Sequence, residues 1–315
     1  MTVMSEEITK EEMLTEILEG LTQSSKQIPS KYFYDEEGSV LFDAICELDE
    51  YYPTRNEMKI MSKNIKEISS LIGENALLIE LGSGSSVKIR LLFEHLINLS
   101  GYIPIDISAD HLEKSIECLH EDYPNIDIYP ITADYTKDFN LPHIKKSYKR
   151  KVVFYPGSTI GNFTRTKAKD FLIKISEVLG ERGGLLIGVD LKKDITILEA
   201  AYNDKKGITA AFNLNILNHL NNQLNTNFDT TKFEHYAVYN KDKGRIEMHL
   251  ISKEKQSVKL NGSIIGFEKD ENILTEYSNK YSIEEFKELI SDKFLLHKVW
   301  LDEKKLFSLQ YYEVK

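Results

Sequence analysis

An apolar run that ends on a carboxylate and breaks into a glycine turn constrains this chain more than any other stretch. Residues 76–86 read ALLIELGSGSS: a segment of strand length, Ala76–Leu81, then Gly82, Ser83, Gly84, Ser85 and Ser86. Val87, Ile89, Leu91, Leu92, Phe93 and Leu96 follow at roughly helical spacing. Strand, tight turn and helix in that order bring backbone N–H groups up to a ligand. Glycine is needed where a side chain would block the approach or where φ is positive.

What the turn lacks narrows the ligand. A dinucleotide-binding turn, Gly-x-Gly-x-x-Gly, uses its third glycine for close helix–strand packing beside the pyrophosphate. Val87 stands at that position, which argues against a nicotinamide oxidoreductase. An acidic strand end before Gly-x-Gly suits a cationic, phosphate-free ligand such as S-adenosylmethionine.

The segments that follow extend the pattern. Residues 101–108 read as a second strand whose Asp106, 26 residues beyond Glu80, is placed to accept both hydroxyl protons of a ribose. Residues 126–135 read as a third strand ending in Asp134 and Tyr135, residues 152–155 as a fourth and residues 185–191 as a fifth. Strands alternating with helical patterns predict a parallel sheet with helices on both faces, and ligands of such sheets sit at the carboxyl ends of the strands. Glu80, Asp106, Asp134 and Asn162 all fall there. Near the C-terminus, SIEEFKELI (282–290) begins with a capping box. Two aromatic-rich runs separated by Asp302-Glu303-Lys304-Lys305 then read as a β-hairpin. An antiparallel end on a parallel sheet resembles the seven-stranded S-adenosylmethionine-dependent methyltransferases. The expected fold class is therefore α/β, a class I Rossmann-like core.

Between the fifth strand and the last helix lie residues 192–281, too long for a loop inside a compact domain. Residues 195–202 and 209–224 read as helices there, and 233–240, 245–252 and 256–268 as strands. The expectation is a methyltransferase core over 59–191 and 282–315. A second α+β domain over 1–58 and 192–281 would bind substrate and supply the pocket above the cofactor face. Tyr32, Phe33, Tyr34, Phe42, Tyr51 and Tyr52, singly ordinary core aromatics, together offer the apolar walls and neutral donors that a small polar substrate needs.

Charge and cysteine usage exclude other classes. Lys+Arg 40 against Asp+Glu 50 gives a net charge of −10, which opposes phosphate backbones and argues against a nucleic-acid partner. Cys46 and Cys118 are too few for a disulfide framework and lack metal-ligand spacing, so both are expected to pack in a reducing cytoplasm. The N-terminus, MTVMSEEITKEEM, carries acids where a signal peptide carries bases, and no apolar run approaches the roughly 20 residues a membrane helix requires. A monomer without membrane partner or metal is expected.

Several segments together resemble one family. YDEEGSVLFDAICELDEYYPTR (34–55), ELGSGSS (80–86), PGSTIGNF (156–163), AYND (201–204), GITAAFN (207–213), RIEMHL (245–250) and TEYSNKY (275–281) are similar to the histidine Nα-methyltransferases of ergothioneine biosynthesis. The resemblance runs from about Pro29 to the C-terminus. It implies a two-lobed enzyme that trimethylates the α-amine of L-histidine to hercynine at the expense of three S-adenosylmethionine. It also implies cofactor contacts from Tyr34, Gly82, Ser83, Gly84, Lys88, Asp106, Asp134 and Tyr135, with Tyr34 near the point of transfer. Asn162 and Tyr202 would hold the substrate carboxylate, Asn162 with Tyr34 serving catalysis. Tyr51, Thr209, Glu276 and Ser278 would surround the imidazole, with Met248 in the wall. Tyr277, Asn279 and Tyr281 depart from what other members often carry.

These residue types suit the reaction. The nucleophile is the neutral amine, so no carboxylate should sit against it, and Asn162 and tyrosine hydroxyls bind without full charge. Tyr34 is left open as proton acceptor or positioning group. Glu276 is the expected specificity residue, because a buried acceptor discriminates more strongly than an apolar pocket. Two rival readings stand beside this one. The first is an N-methyltransferase acting on tryptophan or another aromatic amine. The second is a non-catalytic cofactor-binding protein, against which the intact Gly82, Asp106, Asn162 and Tyr202 speak.

Overall fold

A computed structural model describes residues 4–6 by their backbone and residues 9–84 and 86–315 in full. Ser85 and most of the first eight residues of the acidic N-terminus lie outside the described residues. The chain divides into two compact units. One holds residues 4–6, Pro53–Lys192 and Asn279–Lys315, and the other residues 9–52 and Lys193–Ser278. The crossings thus follow residues 52, 192 and 278, rather than 58, 191 and 281. The first shift has a simple cause: one helix, Tyr52–Ile72, begins at that crossing, and its inner side packs on the sheet of the first unit.

The first unit is a sheet of β1 (Met4–Glu6), β2 (Ala76–Leu81), β3 (Gly101–Asp106), β4 (Ile131–Ala133), β5 (Arg150–Tyr155) and β6 (Gly184–Asp190), closed by β12 (Phe294–Leu301) and β13 (Phe307–Val314). Its order is β1-β4-β3-β2-β5-β6-β13-β12. The first six strands pair in parallel, and β13 runs antiparallel to both β6 and β12. This is the expected mostly parallel sheet with a hairpin at one end, plus a short N-terminal edge strand that the sequence did not announce. All six residues of β2 are buried, as a strand covered on both faces requires. Alternate residues point to opposite sides. Leu77, Ile79 and Leu81 meet Phe171, Leu172 and Ile175 of α6 (Arg165–Leu179) and Phe286 of α9 (Ile283–Ile290). Ala76 and Leu78 meet Ile65, Ile68 and Ile72 of α3 (Tyr52–Ile72), with α4 (Val87–Phe93) and α5 (Ala109–Asp122) beside them. Each such Ile or Leu contributes about 1.5–3 kcal/mol. α9 begins with the expected capping box between Ser282 and Glu285.

Two expected strands need correction. The third is only β4, because Pro130 has no N–H for the ladder. Upstream of it, the segment makes only a single bridge, Ile128 to Tyr102. The run 256–268 is a hairpin, β9 (Gln256–Leu260) and β10 (Ser263–Phe267). Asn261 and Gly262 have φ of 45° and 81°, the left-handed pair that closes a two-residue turn.

In the second unit, α1 (Lys10–Thr22), α2 (Glu36–Cys46), α7 (Ile195–Ala200) and α8 (Ile208–Leu224) accompany a three-stranded sheet. Its order is β11 (Asn272–Asn279), β8 (Arg245–Ser252), β7 (Phe233–Asn240). β8 alternates strictly between buried and half-buried positions, so one face lies against the unit's interior. Among the described residues, no helix is long and apolar enough to cross a membrane.

Candidate active site

In the first unit, β2 delivers the chain into Gly82 (φ 73°) and Gly84 (φ 44°), both in the conformation that penalises any side chain. The Gly82 N–H donates to the Ile105 carbonyl at 2.8 Å, and the Gly84 N–H to Asp106 Oδ2 at 3.3 Å. Asp106, at the end of β3, therefore ties the glycine turn to its neighbouring strand, and it also accepts the Ser108 N–H at 3.0 Å. Burial pushes its carboxyl above the ordinary range, opposed by those N–H donors. Ser83 is buried, and its hydroxyl has no hydrogen-bond partner among the described residues. A polar atom left so would cost about 1–3 kcal/mol unless a ligand satisfies it.

Asp134 accepts the N–H and hydroxyl of Thr136 at 3.0 and 2.5 Å. Tyr135 packs edge-on to Tyr155 and tilted on Phe171, and a Cβ on Gly82 would lie 3.8 Å from its Oη. Burial holds its phenol protonated. The glycine turn and Tyr135 thus adjoin. Asn162 lies seven residues beyond β5, at the end of a 3₁₀ turn, Thr159–Asn162, rather than at the strand end itself. Asn279 donates to the carbonyls of Gly161 and Phe163 on either side of it.

Two carboxylates behave differently from expectation. Glu80 does not present itself to a ligand. Its side chain is buried and accepts the Tyr102 hydroxyl, and burial raises its pKa to about 8 against the pull of that bond and of Lys88. Glu57, unnoticed in the sequence, is wholly buried, with Oε2 2.6 Å from Lys88 Nζ and both oxygens facing the Gly157 N–H at 3.1 and 2.9 Å. The signal was there: Glu57, Met61, Ile65, Ile68 and Ile72 recur at helical spacing, one acid within an apolar stripe. Gly188 is glycine for the same reason, since its Cβ would meet Glu57 Oε1 at 2.1 Å.

In the second unit, Asp35 caps α2, accepting the Gly38 N–H and the Asn215 amide, each at 2.8 Å, and so fixes the segment that carries Tyr34. Tyr34, Phe42, Tyr51 and Tyr202 form a chain of ring contacts at 5.7, 6.3 and 6.4 Å, and Phe212 touches Tyr34 and Phe42 at 5.9 Å. Burial raises the Tyr51 pKa well above that of a free phenol, and Tyr202, Cys46, Glu276 and Tyr34 are the neighbours that raise it further. The Tyr202 hydroxyl donates to Ser278 Oγ at 2.7 Å. Tyr34, Tyr51, Tyr202, Glu276 and Ser278, scattered over 245 residues, are thereby assembled in one place. Tyr277, between Glu276 and Ser278, instead stacks on the Arg245 guanidinium at 3.5 Å. Thr209 and Met248 are buried in α8 and β8. The Thr209 N–H is bonded to Asp204 at 2.8 Å, and the Met248 carbonyl accepts the Thr275 hydroxyl at 3.2 Å.

Against known proteins, residues 13–314 match the model of a family described as histidine-specific methyltransferase, SAM-dependent. The histidine N-alpha-methyltransferase of Mycolicibacterium smegmatis is 38% identical over 277 residues, 86% of this chain and 85% of that protein. Ergothioneine biosynthesis protein 1 of Neurospora crassa is 38% identical over 201 residues, 62% of this chain but 23% of that protein. Among solved structures, the PH0226 protein of Pyrococcus horikoshii OT3 shares the fold, with a TM-score of 0.51 at 13% identity, over 90% of this chain and 100% of that one.

Proposed function

The chain belongs to the S-adenosylmethionine-dependent, histidine-specific methyltransferases, and on that premise we propose that it trimethylates the α-amine of L-histidine to hercynine, a step of ergothioneine biosynthesis. The observation that carries the substrate assignment is the grouping of Tyr202 and Glu276 around the Tyr51 phenol. An imidazole there meets one ionisable acceptor among neutral hydroxyls, which is what separates histidine from a purely apolar ring.

Gly82, Ser83, Gly84, Lys88, Asp106, Asp134 and Tyr135 would hold S-adenosylmethionine. The fit rests on two features: the open glycine turn, and the buried Ser83 hydroxyl that lacks a partner among the described residues. Asp106 would take the ribose hydroxyls, as strand-end acids do. When bound, the cofactor supplies an electrophilic methyl on a sulfonium. Aligning the amine at about 3–3.5 Å from it contributes on the order of 7–11 kcal/mol. Asn162 and Tyr202 would grip the α-carboxylate. Tyr34 would orient the amine, and the neutral donors leave that amine free to lose its proton to solvent. Tyr51, Thr209, Glu276, Ser278 and Met248 would enclose the imidazole. In this reading the first unit serves methyl transfer, the second binds substrate, and the protein works as a cytoplasmic monomer.

The test is incubation with S-adenosylmethionine and either histidine or tryptophan, read by mass. Gains of one, two and three methyl groups on histidine are expected. Methylation of tryptophan in preference to histidine would replace the substrate assignment, and cofactor binding without turnover on either would remove the enzyme reading.

A further inference from the structure

Asn213 closes the GITAAFN motif, takes no part in the proposed substrate contacts, and is completely buried in α8. Its amide can be oriented only one way. Nδ2 lies 3.0 Å from the His249 carbonyl, which can only accept, so that atom is the donor. The same Nδ2 lies 2.9 Å from His235 Nδ1, which must therefore be unprotonated. His235 Nε2 lies 2.8 Å from the Tyr202 carbonyl, again an obligate acceptor, so the ring carries its proton on Nε2. Two carbonyls thus dictate one tautomer. On its other side Asn213 Oδ1 accepts the Thr275 hydroxyl at 2.7 Å, and Tyr202 donates to Ser278. The chain of bonds from Thr275 through Asn213, His235 and Tyr202 to Ser278 begins and ends on β11, three residues apart. Each link lies within the second unit.

We infer that His235, as the neutral Nε2–H tautomer oriented by Asn213, is a positioning residue that fixes Tyr202 and through it Ser278 for substrate binding. This inference rests on the substrate role proposed for Tyr202 and Ser278. Burial favours the uncharged ring, against the opposing pull of the Tyr202 carbonyl and the charge of Asp204. A doubly protonated ring would turn an N–H toward the Asn213 amide and break the chain at its centre.

Paired substitutions separate positioning from packing. His235→Gln sets an amide nitrogen where Nε2 stands and keeps the donor to Tyr202. His235→Asn sets its oxygen near Nδ1 and leaves the Tyr202 carbonyl without a donor. The expected result is a KM for histidine near that of the unmodified protein for His235→Gln. For His235→Asn it should rise about tenfold, the worth of one buried hydrogen bond, with kcat and S-adenosylmethionine affinity nearly unchanged. Equal behaviour of the two variants overturns the inference. A second readout needs no variant: two-bond proton–nitrogen correlation on the ¹⁵N-histidine-labelled protein should show His235 protonated at Nε2 and bare at Nδ1 at neutral pH, and the opposite tautomer overturns it. Absence of histidine methylation by the unmodified protein would instead overturn the substrate reading, while the tautomer measurement still decides the network.

Discussion

Asn279 grips the backbone on both sides of Asn162: its side-chain amide donates to the Gly161 and Phe163 carbonyls at 2.9 and 2.7 Å. Both bonds are buried or nearly so, and they fix a turn whose entry residue, Ser158, sits at φ 60°. The residue set aside in the sequence as a departure from the family is thus the clamp on a proposed substrate ligand.

Replacing that clamp should be felt at substrate. Asn279→Asp keeps the shape but faces two carbonyl oxygens with a group that can only accept when ionised. A fall of about tenfold or more in kcat/KM for histidine is expected, with S-adenosylmethionine affinity unchanged. Steady-state kinetics alongside calorimetric titration of the cofactor check it.

Glu276→Ala removes the ionisable acceptor beside Tyr51. A hydrogen bond from a substrate to this half-buried carboxylate is worth about 2 kcal/mol, so kcat/KM for histidine should drop about thirtyfold while cofactor binding persists. Unchanged kcat/KM would withdraw Glu276 from the substrate site.

Glu80 makes stability depend on pH in a particular direction. Its carboxyl, with an ordinary pKa of 4.5, is raised to about 8 by burial. The folded state therefore retains a proton that the unfolded chain has already released. The stabilisation is full below the ordinary value and is lost as pH climbs through about 8. Melting temperatures of the ligand-free protein should fall across that window, and Glu80→Gln should flatten the slope.

Lys280 and Asp190 form an ion pair at 2.7 Å with each side chain only 1% exposed. Lys280→Met leaves the Asp190 carboxylate buried beside the Ser158 turn, whose Oγ accepts the Asp190 N–H at 2.8 Å. A loss of about 3–5 kcal/mol is expected in denaturant unfolding, and adding Asp190→Asn should recover much of it.

Local chemistry made much of this protein legible. The Gly82–Gly84 turn, the apolar strand before it, the Ser282–Glu285 cap and the C-terminal hairpin each follow from residues close in sequence, because positive φ, caps and two-residue periodicity are short-range properties. The same locality explains the errors. Pro130 and Asn261-Gly262 carried clear local signals that cut two expected strands short.

What remained was decided by packing. Sequence alone supplied Glu80 as a strand-end acid; only its burial within the sheet raised its pKa to about 8, against the hydrogen bond it accepts from Tyr102. Sequence supplied Asn213, His235 and Asn279 as ordinary polar residues. Their partners lie 22 to 118 residues away, and no pattern within a single element encodes a hydrogen bond between elements. The residue types and the turn fixed the chemistry that was possible. The tertiary structure chose which polar groups were taken from water, and burial is what sets their pKa, tautomer and orientation.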